Sequence, residues 1–597
     1  MRASWVALAI VWTVGCGDAD AGTQDTKGDA QDADLLEDTT GPATWQTPVS
    51  GLKGALLSVW GTAHDDLWIV GADARDGTGP IVLHGTTDWR RVDMREADPA
   101  GGHLWWVHGL AGGAKLWMVG EGGRAFRVSV AGSAVEAVTR IETGTDATLY
   151  GVWGASDAEL WAVGGYVYPR TGPPTIVRIT PSGGEVVPLP SGLPATGTFF
   201  KVWGAAANDV WVVGEQGMVL HWDGVAWTRV AIEGTPRLVT VHGRNASDLV
   251  SVGGTSQAVI LEGNGTGFVD RSPGPYSLLN GVFVKPDGSA VAVGMLGQVL
   301  VREAAGGAWQ SLPTTGVTMR DWHAAWVDER GDVWMVGGNL LSAARFDQGT
   351  VARRGPARSD VPSGEVVGLD PIVEPDVVEG DAVEGDAEVD AEVDAGDVVD
   401  VEDLADGNAD GDSGPDVDDV ADAADVADTE VPDTTDAGDT SDSSDTSDVA
   451  DTADVADTSP TYDFEIGRVN YDTNAFTPFS SLETVAIVHG PQGGIHVEVA
   501  VRYPLEATEP EVLTPIEIHL FVPSIGAVEQ ARYISLAYPM QRVAAGIYQS
   551  YAIPLPFDQL DSRVYDGLHA TIEFTLKPKA GVEWRRSIEV LMEDSFF

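Results

Sequence analysis

The residues whose types could do chemistry are few and scattered. His108 and His242 carry imidazoles that can exchange protons or bind a ligand. Trp105, Trp106 and Trp322 can stack on sugar rings if they face solvent, and Tyr166 adds a phenol on a loop. The single cysteine, Cys16, rules out an intramolecular disulfide. The sequence contains no H-E-x-x-H, G-x-S-x-G, G-x-x-x-x-G-K-[ST] or paired C-x-x-C, and it nominates no carboxylate pair for glycoside chemistry. Gly263-Asn-Gly-Thr-Gly267 lacks the strand and helix of a nucleotide loop and reads as a turn. Asp406–Gly411 matches half of a calcium loop, but its twelfth position is Val417 rather than Glu. No catalytic residue, cofactor or specific metal site is expected. The acidic tract supports only weak, diffuse binding of divalent cations.

A repeat positions these residues. Lys201–Val230 reads as four short strands punctuated by Gly214, Gly217 and Asp223-Gly224, glycines assigned to turns with positive φ. Aligned on the glycine after the second strand, the copies fall at Gly71, Gly120, Gly164, Gly214, Gly253, Gly294 and Gly337, spaced by 49, 44, 50, 39, 41 and 43 residues. Eleven residues earlier stand Trp60, Trp153, Trp203, His242, Phe283 and Trp326; in the second copy His108 stands twelve earlier. An acidic residue five before the glycine (Asp66, Glu159, Asp209, Asp248, Asp332) is placed to cap the turn between the first two strands. Of 20 Trp, 17 lie between Trp45 and Trp334, so the repeat accounts for most of them.

A period of 40–50 residues with four strands predicts a β-propeller of seven blades, because one blade cannot bury both faces and a closed ring can. Copy seven lacks a fourth-strand Trp, and a spare Trp45 precedes copy one. Trp45–Val49 is therefore expected to supply the last blade's outer strand. The VWG…DVWVVG…GMVLHWDG…W pattern resembles the WD-repeat/YVTN/BNR-like propeller superfamily, and within it the tryptophan-rich VWG-repeat lipoproteins of deltaproteobacteria. The resemblance covers about half the chain and implies a fold rather than an activity. The Trp222-Asp223 pair occurs in one copy only, and the boxes of the sialidase branch are absent. Long insertions at Ala72–Pro80 and Tyr166–Pro174 both follow a second strand, so they are expected on one face, the candidate binding face.

The flanks read differently. Residues 1–15 form a short secretory signal, and Thr13-Val14-Gly15-Cys16 resembles a bacterial lipobox that would make Cys16 a lipidated N-terminus. Residues 16–42 are a flexible acidic tether, 43–353 the propeller, and 354–461 a disordered Asp-rich linker. The net charge of −56 is concentrated: residues 361–460 hold 35 Asp and Glu and no Lys or Arg, leaving −56 + 35 = −21 elsewhere. Such a balance excludes nucleic-acid binding through bulk charge. Residues 462–597 alternate apolar and polar in about seven strands and are expected to form an Ig-like β-sandwich.

The fold class expected is all-β: a seven-bladed propeller and a C-terminal β-sandwich joined by an acidic linker. The function expected is an exported, lipid-anchored envelope protein, at the outer membrane or surface of a Gram-negative cell. Its propeller would act as a monomeric, non-catalytic module for a protein or glycan partner. The alternatives are a polysaccharide-acting hydrolase or lyase, and a purely structural envelope component. His108, His242, Trp105, Trp106, Trp322 and Tyr166 are the candidate ligand-face residues.

Overall fold

A computed structural model describes residues 41–368 and 464–594, apart from 168–170, 256, 265–266, 275, 315, 318–320, 342–344, 471–472, 491–492 and 558. The expected signal, Cys16, nearly all of the expected tether, the half calcium loop and most of the expected linker lie outside the described residues. Among the described residues no helix is long and apolar enough to cross a membrane.

The repeat folds as seven antiparallel sheets in sequence order, a seven-bladed propeller. The inner strands are Leu56–Ala63, Leu104–Gly109, Thr148–Ser156, Phe199–Ala206, Leu238–Asn245, Leu279–Val284 and Asp321–Val327. Blade seven takes its outer strand from the other end of the chain: Thr44–Leu52 pairs antiparallel with Gly349–Gly355. Trp45 anchors this closure by donating its indole N–H to the Pro313 carbonyl at 2.9 Å. The linker was expected to start at residue 354, and this is corrected. The chain turns back, and Ser363–Val367 adds to the outer strand of blade one, Asp88–Arg91, in parallel. Val361 and Val366 pack into the core shared by blades seven and one, which holds the segment in place.

Two packing rules explain the repeat. Every inner strand carries one extra residue opposite the alignment glycine: Leu57, Trp105, Tyr150, Phe200, Val239, Asn280 or His323. These bulges bring the inner-strand backbone against the second strand. A Cβ at Gly71, Gly120, Gly164, Gly214, Gly253, Gly294 or Gly337 would overlap the main-chain oxygen two residues before the bulged one. Gly214 is therefore required by this close approach and not by positive φ, which Gly217 and Gly224 do adopt. The second rule explains the glycine after the aromatic in three of the blades. A Cβ at Gly61, Gly109 or Gly204 would meet the indole of Trp326, Trp60 or Trp153, the aromatic of the preceding blade. Where the preceding residue is His242 or Phe283, Val284 and Val327 replace the glycine.

The acidic position does more than close a turn. In blade one Asp66 Oδ1 lies 2.9 Å from His84 Nε2, and His84 stacks on Trp68 at 4.0 Å. In blade four Asp209 Oδ1 accepts from both Trp211 Nε1 and His221 Nε2 at 2.8 Å, and His221 stacks on Trp211 at 4.3 Å. Glu159 binds Arg178 in blade three, and Asp332 binds Arg353 in blade seven. The acid thus ties the third strand to the second across the Trp face. In blade five, where Val250 replaces Trp, Asp248 turns to Arg302 of blade six, which also meets Glu262 at 2.6 Å. His84 is buried for this reason.

Among the described residues the C-terminal region folds as ten strands where about seven were expected; the short strands Glu465–Val469, Phe476–Pro478, Ile547–Ser550 and Ile553–Pro556 make up the difference. Its hydrogen bonding is continuous. Ile495–Pro504 pairs with Glu483–His489 and Ile553–Pro556 through its first half and with Ile547–Ser550 through its second. This strand joins the two layers of the sandwich, a corner role that separate sheets lack. Its alternation predicted one buried face; both faces are largely covered, with Glu498 and Arg502 part-exposed. Val497, Val499, Ile518, Leu520 and Leu555 form the fully buried centre.

Candidate functional site

The inner strands bring seven side chains to each of two levels of the propeller axis. At one end lie Trp60, His108, Trp153, Trp203, His242, Phe283 and Trp326. They close sideways on their neighbours. His108 Nε2 donates to the Gly154 carbonyl at 2.9 Å, and His242 Nδ1 accepts from the Val284 N–H at 3.0 Å while stacking on Phe283 at 4.5 Å. Burial brings both imidazoles down to about 4, so both are neutral near pH 7.

Three residues earlier lie the bulged residues, and these fill the axis. Trp105 contacts Tyr150 at 4.9 Å, His323 at 5.8 Å and Phe346 at 5.5 Å, and Tyr150 meets Phe200 at 5.5 Å. Leu57, Met295 and Leu340 complete the cluster. The position next to the bulge supplies Lys201, buried in the ring. Its ammonium lies 3.3 Å from the Trp106 ring centre and donates to the Tyr150 carbonyl at 3.0 Å. Burial pulls its pKa well below the ordinary lysine range. His323 is lowered to about 3 by burial first and then by the charge of Lys201. Sequence reasoning missed Lys201 and His323, because the seven copies have no common residue type at either position and the repeat therefore gives no signal there.

The placements of the expected residues follow. His108 and His242 belong to the sideways-closed end, and Trp106 lies under Lys201. Trp105 is not a solvent-facing platform, since it is 2% exposed at the centre of the axial cluster. Trp322 is likewise corrected: it is 1% exposed and packs among Val291, Val293 and Val299 of blade six. Tyr166 donates its hydroxyl to Asp146 on the rim. Ala72 and Val167, the first residue of one insertion and the second of the other, both pack into the axial cluster, so both insertions emerge at this end.

The C-terminal domain belongs to the same compact unit as the propeller and covers part of this mouth. Leu296, held at φ 55° in the turn Met295–Gly297, packs against the cores of both. Tyr533 hydrogen-bonds Ser277. A cavity of about 90 Å³ remains between them, lined by Trp105, His323 and Leu340 on one side and by Ile495, Tyr533 and Phe557 on the other. On blades one and two the mouth carries an open polar pocket of about 640 Å³, with walls that include Asp73, Arg75, Arg95, Asp98 and Glu121. Its carboxylates hold the loops. Asp73 accepts from the Arg75 N–H at 2.6 Å and the Gly102 N–H at 2.7 Å, Asp98 pairs with Arg124 at 2.6 Å, and Glu121 accepts from the His103 N–H at 3.0 Å. Among the described residues no group of three or more His, Cys, Asp or Glu is arranged to hold a metal.

No protein-family model matches the chain, and no curated protein matches it. Solved structures do. YCF48 from Cyanidioschyzon merolae aligns at 14% identity and TM-score 0.40, covering 52% of this chain and 98% of its own. A structure described as YCF48 bound to D1 peptide aligns at 13% identity and TM-score 0.39, covering 53% of this chain and all of its own. The WD40 β-propeller domain of Doa1 aligns at 13% identity and TM-score 0.39, covering 54% of this chain and all of its own. The fold of this chain rests on its own strand pairing: it is a seven-bladed β-propeller followed by an all-β domain.

Proposed function

We propose that the chain is an exported envelope protein, lipid-anchored at Cys16 on the outer membrane or surface of a Gram-negative cell, whose propeller recognises a protein partner without catalysis. The observation that carries this reading is the open pocket on blades one and two. It is built by the blade-one insertion and presents both charge signs. Arg75 is exposed at its wall, held at φ 56° by the Asp73 carboxylate, a fixed presentation of a charged side chain. Complementary charges of this kind select a partner and set its register. A polysaccharide-cleaving role finds no support in the same pocket, because Asp73, Asp98 and Glu121 are engaged in holding the loops.

The test is affinity capture from envelope extract with the full mature chain, wild type against an Arg75→Glu, Arg95→Glu double variant, with a glycan array run in parallel. A protein captured by wild type and lost at least tenfold in the variant supports the reading. A glycan hit with no protein capture replaces the partner class. Capture unaffected by the variant moves the site away from this pocket. Anchoring is checked separately by fractionation: Cys16→Ala is expected to move the protein from the membrane pellet to the soluble fraction.

A further inference from the structure

A second open pocket, of about 670 Å³, lies at the mouth beside blades four and five, and the protein-partner reading does not use it. Its chemistry differs from that of the pocket on blades one and two. The polar side chains most exposed along its wall are neutral: the amides of Gln216, Gln257 and Gln559 and the hydroxyl of Thr235. Two charged groups belong to the wall, Glu215 and Arg237. They are of opposite sign, only 1% and 7% exposed, and engaged by other groups of the protein. Arg237 lies over the Phe200 ring at 4.7 Å. Pro236 and Leu560 add apolar surface.

The turn that carries Gln216 keeps this side chain at a cost. Blades two, four and six make the same turn after the alignment glycine, at Glu121-Gly122-Gly123, Glu215-Gln216-Gly217 and Met295-Leu296-Gly297. The middle residue is left-handed in all three, at φ 61°, 54° and 55°. Glycine adopts this conformation freely, and a side chain there is strained. Leu296 offsets the strain by packing against the core of the C-terminal domain. Gln216 is exposed instead. Its Nε2 donates to the Thr196 carbonyl at 3.2 Å, which fixes the amide and leaves Oε1 to accept from a ligand. Strain held to present an exposed polar group points to a use outside the fold.

An amide or a hydroxyl both donates and accepts. The complement of such a wall is a neutral ligand whose polar groups also do both, a polyol. An ion would find no exposed counter-charge at this wall. A peptide spaces its donors and acceptors along an extended backbone, which a strand edge matches better than side-chain amides do. The volume is that of a pocket enclosing a drug-sized molecule, about two to three sugar rings. We propose that this pocket binds a neutral oligosaccharide. Gln216, Gln257 and Gln559 hydrogen-bond its hydroxyls, and Pro236 and Leu560 pack on its C–H faces.

The experiment is a ligand-detected proton NMR titration of the full chain with the neutral trisaccharides maltotriose, cellotriose, mannotriose and triacetylchitotriose, and with the anionic trigalacturonate. Saturable binding of at least one neutral sugar, and none of trigalacturonate, is expected. Gln257→Leu and Gln559→Leu keep the bulk and remove the amide, and each should weaken that binding about three- to tenfold. Gln216→Gly should weaken it as much while the melting temperature holds or rises, because glycine relieves the strain. Thr235→Trp fills the pocket and should abolish binding. No saturable binding of any neutral sugar to the wild-type chain overturns the proposal. So does trigalacturonate binding as tightly as the best neutral sugar, or sugar binding that these variants leave intact. The Arg75→Glu, Arg95→Glu chain should bind the sugar like wild type, so the pocket on blades one and two is tested separately; a loss there places the sugar in that pocket and overturns this assignment. A near-UV circular dichroism spectrum for each variant separates loss of the site from loss of the fold.

Discussion

The two levels of the propeller axis are built by the same seven strands, three residues apart, yet they obey different rules. At the level of Trp60 five of the seven side chains have their place fixed by the next blade: a glycine lies beneath the indoles of Trp60, Trp153 and Trp326, and the backbone of the next blade hydrogen-bonds His108 and His242. At the bulge level the residues are Leu57, Trp105, Tyr150, Phe200, Val239, Asn280 and His323, seven different types. One level is occupied by the repeat; the other is left for specialisation. The bulge produces the difference. It lifts one residue per strand out of the ladder, so that its neighbour is the axis rather than the adjoining blade.

The largest test of this contrast is truncation. Trp105→Ala should destabilise the propeller by about 3–5 kcal/mol, because it removes a buried ring from the centre of the axial cluster. Trp60→Ala, at a part-exposed site, should lose about half of that. Thermal and denaturant unfolding of the two variants reads the order, and a larger loss at Trp60 breaks the comparison. Next, Gly109→Val should cost about 1–3 kcal/mol by crowding the Trp60 indole. Adding Trp60→Ala should recover part of that loss, a coupling that a double-mutant cycle measures.

Acid separates the levels by a smaller amount. His108, His242 and His323 all have folded-state values below the ordinary 6.5, at about 4, 4 and 3. Below pH 6.5 the unfolded chain therefore binds more protons than the native one. The stability from keeping these rings neutral is fully present above pH 6.5 and declines as pH falls. Each histidine contributes a slope of up to about 1.4 kcal/mol per pH unit, trimmed at His108 and His242 by their share of solvent. The two sideways-closed histidines stop contributing near pH 4, and His323 continues to about pH 3. A His323→Asn chain should lose one of the three contributions between pH 6.5 and about 4 and the whole of the slope below that, as followed by melting temperature against pH. The smallest effect is expected at Lys201→Met. Exchanging a buried amine for an apolar chain should change stability by less than about 1 kcal/mol. It should also raise the titration of His323, read by NMR, because a neighbouring charge is gone.

The repeat made the blades, their number and the Trp45 closure legible, because each pattern recurs at a fixed distance from a glycine. The reason for that glycine was not legible. Gly214 resembles a turn residue when read along the chain, and only the pairing of Phe199 and Lys201 across it reveals the bulge. The acid at Asp66 was visible, but its partner His84 is 18 residues away on a different strand. Trp105 and Trp106 are adjacent and of one type, so no local pattern tells which is buried in the axis. In the C-terminal domain, alternation found the strands. The double burial of Ile495–Pro504 depends on pairings with residues more than 40 positions away, which alternation does not encode.

The closing strand sets a timetable for biogenesis. Gln46 and Gly355 meet across 309 positions of sequence. A ribosome adding 5–20 residues per second needs about 15–60 s to make the second after the first. During that interval blades one to six can stack, but Thr44–Leu52 has no edge to join. Export in an unfolded state avoids the problem by delaying all folding until both ends have crossed. A chain that folds during synthesis instead carries an unpaired N-terminal strand for most of a minute, an invitation to join the open blade seven of a neighbouring copy.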